Sequence, residues 1–322
     1  MSNINAIING WTFQTAAGIY LFLKNIKDIS DFKFEGSDDL YYRFSSGKKL
    51  FAEAKASEKP NDKLKRHLTY HLQGALKKIE KSNNVQDEYV YITNISKPFN
   101  DDLSMIHDET LNYNQLNKEQ KKIVDTIVSK EKRDTLRITN LKYSTGNEFL
   151  AVENELSSLL VQVDDAVLLY KAREIIEIWF SKVFLNGNKK SEFINKNLLV
   201  WKIVVCLLDN NVKDAINKLD VPPHIEYTLN EKYNQFIMSE FENNINMIQK
   251  ISSQYYLDYH EHGSMPIDYE KNYYHLCEDE IREAFPHLGE EEIVYLSKIV
   301  VINIIKKSNT IDKVLKVTNC EN

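Results

Sequence analysis

The chain has 322 residues, enough for one large domain or two ordinary ones with a substantial core. With 43% hydrophobic and 27% charged residues it has the composition of a soluble globular protein, which excludes a disordered or fibrous chain. The net charge of −6 does not announce a nucleic-acid binder, although a local basic groove needs no basic total.

Residues 4–26 read as a helix, with Trp11, Phe13, Ala16, Ala17, Tyr20, Leu21 and Leu23 in a broad apolar band that packs on a sheet. Gln14 is polar within that band, as a helix-surface glutamine or a core one satisfied by backbone. Residues 31–35 alternate and lead to the acidic pair Asp38-Asp39. Residues 40–44 form a strand, Ser45-Ser46-Gly47-Lys48 has turn chemistry, and a second strand follows over residues 50–57. Its alternation sends Leu50, Ala52, Ala54 and Ala56 to one face and Phe51, Glu53 and Lys55 to the other.

After a turn at residues 58–62 comes a helix over residues 63–81. Lys59, Lys63, Lys65, Arg66, His67, Lys77, Lys78 and Lys81 make this the most basic region of the chain, read as either a phosphate-tracking groove or a solvated helical face. Residues 87–94 (DEYVYITN) read as a buried strand, 119–130 as a helix, 135–139 as a strand and 148–163 as a helix. This strand–helix alternation predicts a mixed central sheet flanked by helices.

From Asp164 onward the pattern is helical. Helices are expected over residues 166–184, from an N-cap at Ser191 through Leu208, over 212–219, as one or two helices over 231–259, and over 277–285 and 290–307. The expected division is therefore an α/β domain over residues 1–164 and an all-α domain over residues 165–322. Three scattered cysteines, Cys206, Cys277 and Cys320, suggest neither a disulfide framework nor a metal pattern and fit a reducing cytosol. The opening MSNINAIING does not read as a signal peptide, and residues 293–305, the most apolar stretch, are too short and polar for a membrane span. A cytoplasmic protein without a membrane partner is expected.

The chemistry concentrates in the hairpin. A turn brings Asp38 and Asp39, at the start of one strand, back beside Glu53 on the other, with Lys55 on the same face as Glu53. Two converging carboxylates can hold a divalent cation through hard oxygen ligands, and a neighbouring lysine can handle a water or a phosphate.

In order, Gly10-x-x-Phe13-Gln14, Asp38-Asp39, Glu53-Ala54-Lys55 and Thr93-Asn94 resemble the PD-(D/E)xK nuclease superfamily. Within it the order of these motifs resembles the nuclease effectors of bacterial anti-phage systems, those of cyclic-oligonucleotide signalling and Lamassu-type systems with an SMC-like ATPase. The resemblance covers roughly the first half of the chain. The proline of the superfamily's name is missing before Asp38-Asp39, so either aspartate is the metal ligand.

The resemblance implies a restriction-endonuclease-like fold and Mg²⁺-dependent (or Mn²⁺-dependent) hydrolysis of double-stranded DNA. Asp39 or Asp38 and Glu53 are the implied metal ligands, with the Ala54 carbonyl as a third, and Lys55 is implied to position water or stabilise the phosphate. Gln14 is implied at the edge of the site, and Gln73 is the candidate for a glutamine that such nucleases carry on the helix after the E-x-K strand. It also implies control of the effector by partner proteins or by homo-oligomerisation through the helical half.

Rival readings are a restriction-type or RNA-directed nuclease, and a non-enzymatic helical scaffold with a degenerate nuclease fold. A second metal candidate is His260-x-His262 with His275 and Cys277. The tyrosines Tyr255, Tyr256, Tyr259, Tyr269, Tyr273 and Tyr274 form either a base-stacking surface or a packing core. No glycine-rich phosphate loop or nucleophile elbow is present.

Overall fold

A computed structural model describes residues 2–34, 39–57, 65–81, 87–99, 105, 108–144, 147–187, 192–208, 212–238, 244–262 and 268–320; for residues 2–8, 39, 65–69, 186–187 and 244 it describes the backbone alone. Asp38 and Ser191 lie outside the described residues. The elements in chain order are α1 (Ser2–Lys24), β1 (Ile29–Phe34), β2 (Asp39–Phe44), β3 (Lys49–Lys55), α2 (Lys65–Lys81), β4 (Glu88–Thr93), β5 (Thr110–Asn112), α3 (Lys118–Asp125), α4 (Lys130–Arg133), β6 (Leu136–Asn140) and α5 (Leu150–Val161). They continue with α6 (Ala166–Tyr170), α7 (Ala172–Gly187), β7 (Ile194–Asn195), α8 (Lys196–Leu208), α9 (Val212–Leu219), α10 (Pro223–Met238), α11 (Asn244–His262), α12 (Tyr269–Tyr273), α13 (His275–Ala284) and α14 (Glu290–Thr318).

Among the described residues seven strands form one mixed sheet in the order β5-β6-β4-β3-β2-β1-β7. The strands β1, β2 and β3 form an antiparallel meander, and Gly47 supplies the positive φ of the β2–β3 turn at 83°. Strand β4 joins β3 in parallel, and β6 joins β4 in parallel. A parallel neighbour needs a crossover connection, and α2 supplies it between β3 and β4.

The two faces of the sheet are covered by different helices. On one, Phe22 packs on Phe32, Trp11 on Phe34, and the Tyr42 hydroxyl donates to the Gly18 carbonyl, so α1 lies across β1 and β2. On the other, Leu72, Ala75, Leu76 and Ile79 of α2 share a core with Tyr89, Tyr91, Leu136 and Ile138, with Phe51 against them. The last turn of α2 is pinned from outside: the Lys132 ammonium donates to the carbonyls of Ile79 at 3.2 Å and Glu80 at 2.6 Å.

Gly18 sets the approach of α1 to the sheet. A Cβ there would lie 3.4 Å from Leu40 Cδ2 and 3.5 Å from Phe34 Cζ, which is ordinary contact. Gly18→Ala should therefore melt within a few degrees of wild type, whereas Gly18→Leu should lose about 1–3 kcal/mol by overpacking. Thermal denaturation of the two variants checks this.

The chain divides into two compact units, one of Met1–Ser158 with Ile176–Lys196, the other of Leu159–Ile175 with Asn197–Asn322. They interleave, so the division is not the single boundary at 164/165 expected from the sequence. The reason is β7: Phe32 pairs with Ile194 and Asp31 with Asn195, which adds a strand to the edge of β1 and returns this stretch to the sheet-bearing unit. The stretch after residue 165 is helical apart from this one short strand, which belongs to the sheet-bearing unit.

Other expected boundaries also move. The expected helix over 166–184 breaks at Lys171 into α6 and α7, and the one over 119–130 ends at Asp125, with α4 following separately. The helix expected to start near Ser191 begins at Lys196, and α14 runs to Thr318.

In the second unit α9, α10, α11, α12 and α13 each pack on α14, whose Ile293, Leu296, Val300, Ile304 and Ile311 recur at helical spacing and are buried. Helix α8 closes the end of α10: Trp201 Nε1 donates to the Ile237 carbonyl and Lys202 Nζ to that of Met238. Among the described residues no helix is long and apolar enough to cross a membrane.

Candidate active site

The candidate site lies where β2 begins and the parallel strands β3 and β4 end. Antiparallel register sets Asp39 directly opposite Glu53, Leu40 opposite Ala52 and Tyr41 opposite Phe51. Side chains alternate along a strand, so Glu53 shares the α2 face with Phe51, while Leu50, Ala52 and Ala54 are buried with the α1 face. Lys55, two residues on, returns to the face of Glu53. The expected alternation of this strand is the observed one, over Lys49–Lys55.

Glu53 is 6% exposed and carries a full set of cationic partners. Lys55 Nζ lies 2.9 Å from Oε1. Lys78 Nζ, reaching down from α2, lies 3.0 Å from Oε1 and 2.9 Å from Oε2. A carboxylate this buried is costly unless its charge is met, and here two ammonium groups meet it. The two differ in setting: the Lys55 side chain is 23% exposed and the Lys78 side chain 47%. Ala75, Lys78 and Ile79 of α2 and Phe51, Glu53 and Tyr89 line one small cavity there. Tyr91, the β4 residue paired with Glu53, forms a neutral wall: burial, with the Glu53 charge adding, pushes its phenol well above the ordinary value.

The strand ends are fixed by side-chain amides. The ladder between β3 and β4 closes at Lys55 and Thr93. Just beyond it Asn94 donates through Nδ2 to the Ser57 carbonyl and accepts from the Ser57 amide through Oδ1, both at 2.8 Å. Asn94 thus substitutes for one more rung of sheet. One strand further, Asn140 donates through Nδ2 to the Ile95 carbonyl at 2.6 Å. These amides tie down the chain as it leaves the carboxyl ends of the parallel strands, where ligands of such sheets commonly bind.

The structure brings Glu53 and Lys55 into contact and sets Asp39 opposite Glu53 by backbone register. Gln14 shares the face of α1 that carries Trp11 and Gly18, so it approaches the sheet from the side opposite Glu53. Gln73 lines a different cleft, with Phe99, Glu119, Gln120 and Thr126. Gln73 and Lys78 do not have the i, i+3 or i, i+4 spacing of one helix face, and it is Lys78 that reaches Glu53.

Sequence reasoning missed Lys78 and Asn140 as parts of this end of the sheet. One signal for Lys78 was available: it lies three residues after Ala75 and next to Ile79, at the edge of the apolar stripe of α2, where a lysine stem follows the core and its head emerges beside it.

Compared with models of protein families, with characterised proteins and with solved structures, the chain matches none.

The second metal candidate does not assemble. His260 and His262 end α11, His275 opens α13, and Cys277 is buried. No cluster of three or more His, Cys, Asp or Glu occurs among the described residues. Tyr255 and Tyr273 serve packing: Tyr255 meets the rings of Tyr256 and Tyr269, and the buried Tyr273 donates to Asp258, whereas Tyr259 is exposed.

Proposed function

We propose that this chain is a metal-dependent endonuclease acting on double-stranded DNA, with a PD-(D/E)xK-like domain formed by α1, β1, β2, β3, α2 and β4. The observation that carries the reading is the register of Asp39 against Glu53 with Lys55 on the Glu53 carboxylate. The donor set fits a hard cation: a buried carboxylate that requires positive charge, a second acidic residue opposite it, and the Ala54 carbonyl between Glu53 and Lys55. Asp39, Glu53 and that carbonyl would hold Mg²⁺ or Mn²⁺, which supplies Lewis-acid neutralisation of phosphate charge and a bound water of lowered pKa.

The chain's own residues do the rest. Lys55 holds its ammonium beside Glu53, where it orients water by hydrogen bonding or meets charge on a phosphoryl oxygen. The wall of Tyr89, Tyr91 and α2 keeps solvent from the inner side of Glu53 and strengthens these interactions. The sequence resemblance alone extends the reading to an anti-phage effector, controlled by an SMC-like ATPase subunit or by oligomerisation through its helical part.

One observation favours the rival scaffold reading: the two lysines neutralise Glu53 as they would in a structural ion pair. Cleavage decides between them. Supercoiled and linear double-stranded DNA, incubated with the full chain over a range of protein concentrations, should be cut with Mg²⁺ or Mn²⁺ and left intact with chelator. Absence of cutting at every concentration, together with no Mn²⁺ binding by calorimetry, would establish the scaffold.

A further inference from the structure

Both oxygens of Glu53 are engaged by ammonium groups, Oε1 by Lys55 and Lys78 and Oε2 by Lys78. A divalent cation on Glu53 sits about 2.1 Å from a carboxylate oxygen, within a few ångströms of any ammonium still on that carboxylate. Like charges at that separation repel strongly at a half-buried site. Release of one lysine relieves that repulsion.

The two lysines differ in exposure, the Lys55 side chain at 23% and the Lys78 side chain at 47%. Lys55 pairs with Thr93 at the end of the β3–β4 ladder, with Ser57 clamped just beyond it. Lys78 stands at the edge of α2 with its side chain 47% exposed, so its four-carbon stem can swing to water without moving backbone.

Resting on the metal reading of the site, we infer that Lys78 is a displaceable latch: its ammonium holds Glu53 in the metal-free protein and is driven off when a divalent cation binds. The latch has two effects. It keeps a buried carboxylate paired when no metal is present, and it lowers the affinity of the site for metal. The displaced ammonium is then free for a phosphate oxygen of the DNA, so metal and DNA each favour binding of the other.

The test is Mn²⁺ binding by calorimetry, without DNA, in wild type, Lys78→Met, Lys78→Arg and Lys77→Met, with circular dichroism to confirm the fold. Lys77 is exposed on the same helix and serves as control for charge alone. Lys78→Met should tighten Mn²⁺ about fivefold, the weight of one partly exposed ion pair. Lys78→Arg should stay near wild type, and Lys77→Met should change affinity by less than about twofold.

Unchanged or weaker binding in a folded Lys78→Met, with wild type still binding Mn²⁺ and Glu53→Gln not binding it, overturns the latch and leaves the metal site standing. No Mn²⁺ binding by wild type or Lys78→Met overturns the metal reading and the latch together.

Discussion

Lys55→Ala is expected to lower Mg²⁺-dependent cleavage of double-stranded DNA by about 100- to 1000-fold, the usual loss when one preorganised donor to a charged transition state is removed. The substitution suits the question because it leaves little structural damage. Lys78 still contacts both oxygens of Glu53, so no buried charge is stranded. The lost Lys55 contact is to a buried carboxylate whose charge Lys78 still meets, and should cost about 1–2 kcal/mol. The melting temperature should then stay within a few degrees of wild type and Mn²⁺ binding should persist. Cleavage at the wild-type rate by the purified variant would place the chemistry elsewhere. Glu53→Gln is the companion: it keeps the shape of the side chain and removes the charge, and both metal binding and cleavage should disappear.

The hairpin was legible because its signals are local. Alternation of Leu50, Ala52 and Ala54 against Phe51, Glu53 and Lys55 determines which residues share a face, and the Gly47 turn then sets the register that pairs Asp39 with Glu53. The mixed sheet with flanking helices follows from the same periodicities. What escaped is tertiary. The two residues of β7 have no pattern of their own and become a strand only because the edge of β1 is there to pair with. Helical phase places Lys78 at the margin of a core stripe, yet nothing local says that the acid below it is Glu53. Gln73 illustrates the converse: residue type and position on the helix matched the resemblance, while the phase of α2 turns it toward the cleft with Gln120. Asn94 was visible as the end of a strand, but its bond to Ser57, 37 residues away, was not.

That bond gives the second large effect. Asn94 is 3% exposed, and Asn94→Ala removes both hydrogen bonds to Ser57 at once. Two such bonds, with backbone groups left to find other partners, amount to about 2–3 kcal/mol, or about 5–10 °C in melting temperature for a unit of this size. The loss extends beyond stability. Lys55 lies two residues before Ser57 with no further ladder to hold it, so a loosened strand end misplaces its ammonium and cleavage should fall by about a hundredfold.

Asn94→Asp separates the clamp from simple packing. The introduced carboxyl can still accept from the Ser57 amide, but its other oxygen faces the Ser57 carbonyl in place of a donor. Burial against that carbonyl raises the carboxyl's folded-state pKa above its unfolded value, so the penalty is largest when it is ionised and shrinks as pH falls and it protonates to a donor. Near pH 7 Asn94→Asp should therefore melt below Asn94→Ala, and near pH 5 the gap between them should narrow, each compared with wild type at the same pH. Wild-type melting and cleavage in Asn94→Ala would mean that β3 holds its end without the amide, and that the position of Lys55 is set by the ladder alone.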